Sequence, residues 1–172
     1  DGVCAYVEGI PAKGYARPTV IRRENTVALS DSSCENKFYR LTFDEAMHIS
    51  SLYDKRNGRE VLRAGGLGNA LRIYADHPER YDAWEWKEYT LSNYTVLADV
   101  QGVEQGQDGA RAGLRITRKH FDSTVVQTVW LYEDIDRIDF DIRVDWLCFH
   151  FPDYDWLMTK EDVRFTKRLF PI

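Results

Sequence analysis

Residues 69–89 hold the side chains best suited to grip a polar, ring-shaped ligand. They read Asn-Ala-Leu-Arg-Ile-Tyr-Ala-Asp-His-Pro-Glu-Arg-Tyr-Asp-Ala-Trp-Glu-Trp-Lys-Glu-Tyr. Two strand-like runs, 70–75 and 84–90, flank a loop that carries His77, Pro78, Glu79, Arg80, Tyr81 and Asp82. Pro78 has no backbone N–H, which suits a loop or strand end rather than a central strand. Aromatic rings offer flat apolar faces and carboxylates accept hydroxyl protons, so the loop has the chemistry of a sugar contact. The plainer reading stands beside it: Trp84 and Trp86 are core residues, and Asp82 and Glu85 are solvated or bonded to backbone.

Other constellations are weaker. Asp82 with Glu85, Asp134 with Asp136, and Asp153 with Asp155 pair carboxylates along the chain. A glycosidase needs two carboxyls about 5 Å or about 6.5–9.5 Å apart across a bond. Among 28 acidic residues such pairs arise by chance. His48, His77, His120 and His150 are not spaced as metal ligands, and Cys4, Cys34 and Cys148 form no C-x-x-C pair. No metal site or disulfide framework is expected in the chain, and reduced thiols fit a cytoplasmic protein. Gly65-Gly66-Leu67-Gly68 lacks the following Lys-Ser/Thr of a phosphate loop and reads as a connection between strands.

With 172 residues, 44% of them hydrophobic, the chain can bury the core of one domain. A net charge of −5 and a pI near 5.4 argue against a nucleic-acid footprint, because Arg164 with Lys167 and Arg168 is the longest basic cluster. Apolar runs fall short of the roughly 18 residues of a membrane span. The start at Asp1-Gly2 is neither a signal peptide nor an initiator methionine, and reads as a processed chain or a piece of a longer one.

The elements that would position the loop read as strands. Residues 10–18 are turn-rich and form a connector, followed by a strand at 19–23. Residues 36–43 alternate, 48–53 form a partner strand, Asn57-Gly58 marks a hairpin, and 60–63 continues the pairing. A polar strand is expected over 92–101, a turn at 106–109, and strands over 110–120 and 124–132. The clearest pattern is 137–146: Ile138, Phe140, Ile142, Val144 and Trp146 alternate with Arg137, Asp139, Asp141, Arg143 and Asp145. One dry face and one wet face mark an antiparallel sheet against a core. A one-residue slip would bury the charges, so the register should be firm. Helical signals are limited to single turns at 43–47 and 159–162. The expected fold is an all-β antiparallel sandwich.

The order of segments resembles the β-sandwich region that follows the catalytic domain in α-mannosidases of glycoside hydrolase family 38, of the bacterial and cytosolic type. Val7-Glu8-Gly9-Ile10-Pro11-Ala12-Lys13-Gly14-Tyr15 is similar to the family's lead-in. Glu35-Asn36-Lys37-Phe38-Tyr39-Arg40-Leu41 and Ile49-Ser50-Ser51-Leu52-Tyr53-Asp54-Lys55 resemble its first hairpin. Asn69 to Asp76 with Tyr81-Asp82-Ala83-Trp84-Glu85 resembles its loop. Arg137-Ile138-Asp139-Phe140 with Val144-Asp145-Trp146 matches a late strand, and Lys167-Arg168-Leu169-Phe170-Pro171-Ile172 the strand after it. The chain departs from the family between Trp146 and Thr166, where an aromatic-rich stretch replaces a short charged turn.

The resemblance implies a sandwich of the galactose-mutarotase-like kind, with 1–18 as connector and 19–172 as domain. It implies a separate α/β catalytic domain that holds zinc and the aspartate nucleophile of a retaining hydrolysis. Catalytic residues, metal ligands and cofactor are then expected outside this chain, which alone would be inactive. The expected partners are that catalytic domain and an α-mannoside, contacted by Tyr81, Asp82 and Trp84. The apolar patch left by the missing neighbour would favour self-association. Two other readings stay open, an autonomous carbohydrate-binding module and a purely structural sandwich.

Overall fold

A computed structural model of the chain describes residues 7, 10–15, 17, 25–74, 88–147 and 164–169. The side chains at 89, 90 and 164–169 lie outside that description. Strands β1 (Ala28–Ser30), β2 (Ser33–Glu35), β3 (Tyr39–Phe43), β4 (Ile49–Asp54) and β5 (Arg59–Glu60) form one antiparallel meander in chain order. Strands β6 (Arg72–Tyr74) and β7 (Tyr94–Val96) pair as a short ribbon, with helix α1 (Glu88–Ser92) just before β7. Strands β8 (Val100–Asp108), β9 (Arg111–His120), β10 (Ser123–Tyr132), β11 (Ile138–Asp145) and β12 (Arg164–Leu169) form a second meander, ordered β12-β11-β10-β9-β8.

Alternation decides which face of each sheet turns inward. In β10, Val125, Val129 and Leu131 are buried while Val126, Thr128 and Trp130 are partly exposed. The register sets Val129 opposite Phe140 and Leu131 opposite Ile138, so β11 turns its apolar residues the same way. Ala112, Leu114 and Ile116 of β9 join them. Facing them from the other sheet are Cys34, Leu41, Phe43, Met47 and Ile49, in one continuous core. Each large aliphatic or aromatic side chain removed from water there contributes about 1.5–3 kcal/mol. Burial pushes the Cys34 thiol up to about 12.

One end of the sandwich is closed by polar turns. Buried Asn36 donates from Nδ2 to Tyr132 O at 2.7 Å, and its Oδ1 accepts the Phe38 and Tyr39 N–H groups at 2.8 and 2.7 Å. Around it Lys37 meets Asp134 at 2.7 Å, Lys55 meets Glu35 at 2.6 Å, and Arg56 pairs with Asp136. Arg56 also lies over the rings of Phe38 and Tyr39, at 5.5 and 5.2 Å. The turns that bring these groups together use Gly58 and Gly109 at φ 60° and 59°, a region open to glycine at little cost.

The all-β sandwich expected from the sequence is the fold observed, with corrections in its elements. The 84–90 run is not a strand at its far end, because residues 88–90 open α1. Its aromatic-charged alternation carries a strand period, but Glu88 in the first turn favours the positive end of a short helix. The 92–101 strand divides into β7 and β8, because Leu97 is drawn into the core and turns the chain. On β11 the dry face thins toward its end, and Trp146 is 37% exposed. The helical turn expected at 43–47 is instead a non-helical turn after β3, closed by Met47 N–H on Asp44 O at 2.9 Å, because Met47 takes the left-handed φ of 58° that no right-handed helix continues. The expected strand at 19–23, the boundary at residue 18 and the turn at 159–162 lie outside the described residues.

Candidate functional site

Tyr81, Asp82 and Trp84 lie outside the described residues, as do all of 75–87. The segments on either side are described. The loop leaves after Tyr74 and the chain returns through α1 to Tyr94, and these two residues are direct partners in the ribbon. Their ring centroids are 5.6 Å apart, tilted at 51°, and the Arg72 guanidinium sits 4.3 Å over the Tyr94 ring. A tilted aromatic pair and a stacked cation stiffen a ribbon of only three residue pairs. Exposure rises from Leu97 at 3% to Tyr94 at 40%, so the ribbon runs from the core outward. Residues 75–87 follow Tyr74, at the more exposed end of this ribbon, in sequence.

The stem is tied at its foot. Leu97 N–H donates to Leu71 O at 2.9 Å, and Ile49 and Gly68 exchange two backbone hydrogen bonds, at 3.1 and 2.8 Å. The Leu97 carbonyl also faces His48 Nε2 at 3.3 Å. His48 is 3% exposed, and its Nδ1 lies 3.4 Å from Asp44 Oδ2. Asp44 Oδ1 accepts the His48 backbone N–H at 2.8 Å. Both ring nitrogens face acceptors, so an imidazole with one proton serves one of them at a time.

Behind His48 lies a buried cation. Arg118 is fully buried; its Nη2 donates to Met47 O at 2.7 Å and Ala46 O at 3.2 Å, and its Nη1 to Gln127 Oε1 at 3.1 Å. Arg118 Nε and Gln127 Nε2 are buried without a hydrogen-bond partner. Burial lowers the Arg118 pKa from its ordinary value, and Asp44 acts in the opposite direction. Arginine's high intrinsic pKa keeps the group ionised. Sequence reasoning passed over these residues, yet a signal was present. Arg118 falls in phase with Ala112, Leu114 and Ile116 on the dry face of β9, and Gln127 in phase with Val125, Val129 and Leu131 on that of β10.

A second feature lies on the outer face of the larger sheet. A groove of about 520 Å³ runs past Glu104, Arg115, Thr128, Trp130 and Asp141. Trp130 donates from Nε1 to Asp141 Oδ2 at 3.0 Å and reaches over Gly106, where an added Cβ would lie 3.3 Å from the ring. The Arg111 guanidinium already lies 4.4 Å over that ring. Among the described residues, no three His, Cys, Asp or Glu side chains group as metal ligands.

Comparison with known proteins agrees with this architecture. The profile described as "Glycosyl hydrolases family 38 C-terminal domain" matches residues 34–172. Alpha-mannosidase G of Dictyostelium discoideum is 29% identical over 137 residues, covering 72% of this chain and 12% of that protein. Alpha-mannosidase 2C1 of Mus musculus is 30% identical over 80 residues, covering 46% of this chain and 8% of that protein, and its Homo sapiens counterpart is 29% identical over the same length. The chain thus spans about a tenth of the length of these relatives. A match over most of its residues, on a two-sheet antiparallel framework, makes this chain a member of the glycosyl hydrolases family 38 C-terminal domain family.

Proposed function

We propose that the chain is the non-catalytic β-sandwich domain of a cytoplasmic α-mannosidase that removes terminal α-mannosyl groups with retention. In this reading bond cleavage belongs to a separate catalytic domain, where zinc would hold and polarise sugar hydroxyls and an aspartate would act as nucleophile. Hydrolytic chemistry is not assigned to this chain. Its part is to brace the catalytic domain and to present Tyr81, Asp82 and Trp84 to the sugar. Asp82 would accept a hydroxyl proton, and the rings of Tyr81 and Trp84 would cover an apolar face of the pyranose.

The observation that carries this reading is the stem. The residues with sugar-binding chemistry are inserted between paired Tyr74 and Tyr94, on a ribbon hydrogen-bonded at its foot to the sandwich. The test is kinetic. In the full-length enzyme, Asp82→Ala and Trp84→Ala should each lower kcat/KM for an aryl α-mannoside at least tenfold, with melting temperature retained. Unchanged kinetics in both variants would remove the loop from the sugar site. Calorimetry of the isolated chain with mannosides separates the alternative, because binding by the chain alone would favour an autonomous carbohydrate-binding module.

A further inference from the structure

We propose that the outer face of the β8–β11 sheet carries an oligosaccharide-binding groove, in which Trp130 stacks on a pyranose ring and Glu104, Arg115, Thr128 and Asp141 bond its hydroxyls. The groove does not depend on the loop reading above; only the choice of a mannose polymer as probe rests on the α-mannosidase reading. Its volume of about 520 Å³ is that of a small-ligand site. Strand register builds it. Glu104 lies opposite Arg115, Arg115 opposite Thr128, and Thr128 opposite Asp141. Directly opposed residues share a face, so these four form one row across four strands, about 14 Å long at the usual strand spacing. The adjacent row holds Gly106, Gly113 and Trp130.

The polar row suits a neutral polyol. Glu104 and Asp141 accept hydroxyl protons, Arg115 donates, and the Thr128 hydroxyl does both. With Arg143, the ionisable groups lining the groove are two carboxylates and two guanidiniums, so it has no net charge on a chain that carries −5. An anion would meet the carboxylates there, and a cation the guanidiniums. Glu104 and Arg115 stand 3.9 Å apart with side chains more than half exposed, a loose pair that can turn to a ligand at little cost. The aromatic wall is set beforehand. Trp130 Nε1 donates to Asp141 Oδ2 at 3.0 Å, and the Arg111 guanidinium lies 4.4 Å over the ring. Arg111 does not line the groove, so the groove meets a part of the indole that the guanidinium leaves open. A ring already fixed loses little freedom when a sugar stacks on it. At Gly106 an added Cβ would lie 3.3 Å from the indole, so a side chain there would crowd the ring and fill the groove beside it. Glycine weakens a strand interior and marks places where a ligand approaches closely. A sheet face turned only to water needs neither the indole nor the glycine.

The experiment is affinity electrophoresis of the full-length enzyme in native gels containing α-mannan, each variant compared with itself in a polymer-free gel. A catalytic cleft also meets mannan, so the measure is the difference between wild type and Trp130→Ala, with melting temperature as the folding control. Trp130→Ala should weaken the apparent affinity for mannan at least tenfold, and Glu104→Ala and Arg115→Ala about threefold each. Free mannotetraose should release the wild-type enzyme. The domain would then be a carbohydrate-binding part of the larger enzyme, so binding by the isolated chain counts for an autonomous module only where it survives Trp130→Ala. Equal retardation of wild type and folded Trp130→Ala would overturn the groove, and the α-mannosidase reading would stand if wild type hydrolyses aryl α-mannosides. Retardation that depends on Trp130 in an enzyme that hydrolyses no aryl α-mannoside would keep the groove and remove that reading. Self-association that depends on Trp130 in gel filtration, without retardation by mannan, would make a second copy the occupant and overturn the proposal. Should Trp130→Ala fail to fold, Glu104→Ala and Arg115→Ala, at exposed side chains, decide in its place.

Discussion

The two ends of the sandwich solve the same problem with different chemistry. At the end formed by the 36–38, 55–58 and 133–137 turns, charges stay at the surface and pair locally, as Lys37 does with Asp134 and Arg56 with Asp136. At the other end a cation is buried on the core face, and neutral carbonyls and a glutamine receive it. Surface pairs are cheap and replaceable. A buried cation is neither, because every group it touches is stranded when it goes. The contrast separates an end held by exchangeable surface pairs from an end held by one buried charge and the groups that receive it.

That contrast can be broken by substitution, and Arg118→Ala should show the largest effect. It strands the Ala46 and Met47 carbonyls and Gln127 Oε1 and leaves a cavity, so stability should fall by about 3–5 kcal/mol in denaturant titrations. Near-neutral behaviour would mean that the buried end is as tolerant as the charged one. Asn36→Ala is next. It removes the inter-sheet bond to Tyr132 and two turn acceptors, and should cost about 2 kcal/mol. Lys37→Ala should change stability by no more than about 1 kcal/mol, and the difference from wild type should shrink as salt rises to 1 M.

The smallest single-group effect should appear in acid. Hydrogen bonding to Lys55 holds the Glu35 pKa below its ordinary value, and the Ser51 hydroxyl with backbone N–H groups does the same for Glu60. A carboxyl depressed by folding contributes stability above its unfolded pKa and loses it as pH falls through the folded one. Each group's contribution is thus complete at pH 7 and declines below the ordinary glutamate value of 4.5. Glu35→Gln and Glu60→Gln should each flatten the acid limb of the stability-pH curve. An acid limb identical to wild type would count against these ion pairs and caps.

Much of the architecture was legible because long antiparallel strands write their burial into alternation. Residues 110–120, 124–132 and 137–146 became β9, β10 and β11 within a few residues at each end. Asn57-Gly58 marked its turn because it needs a left-handed residue. Strands β1 and β2 have three residues each, too few for a period to show. Helix α1 passed as strand because aromatic-charged alternation at 84–89 carries a two-residue period. The loop chemistry was legible in residue types, and its stem in part, since 70–75 contains β6. Buried Arg118 was not found because an arginine on an apolar phase looks like noise until its carbonyl partners, some seventy residues away, are in place.

The tie between Leu71, Leu97 and His48 has a bearing on protein engineering. The β6–β7 ribbon is not a self-sufficient cassette: its paired tyrosines sit on a foot that Leu71, Leu97 and His48 hydrogen-bond to the sandwich. A graft intended to carry this ribbon onto another scaffold should therefore transfer 71–97 as one block, with a histidine supplied by the recipient beneath it.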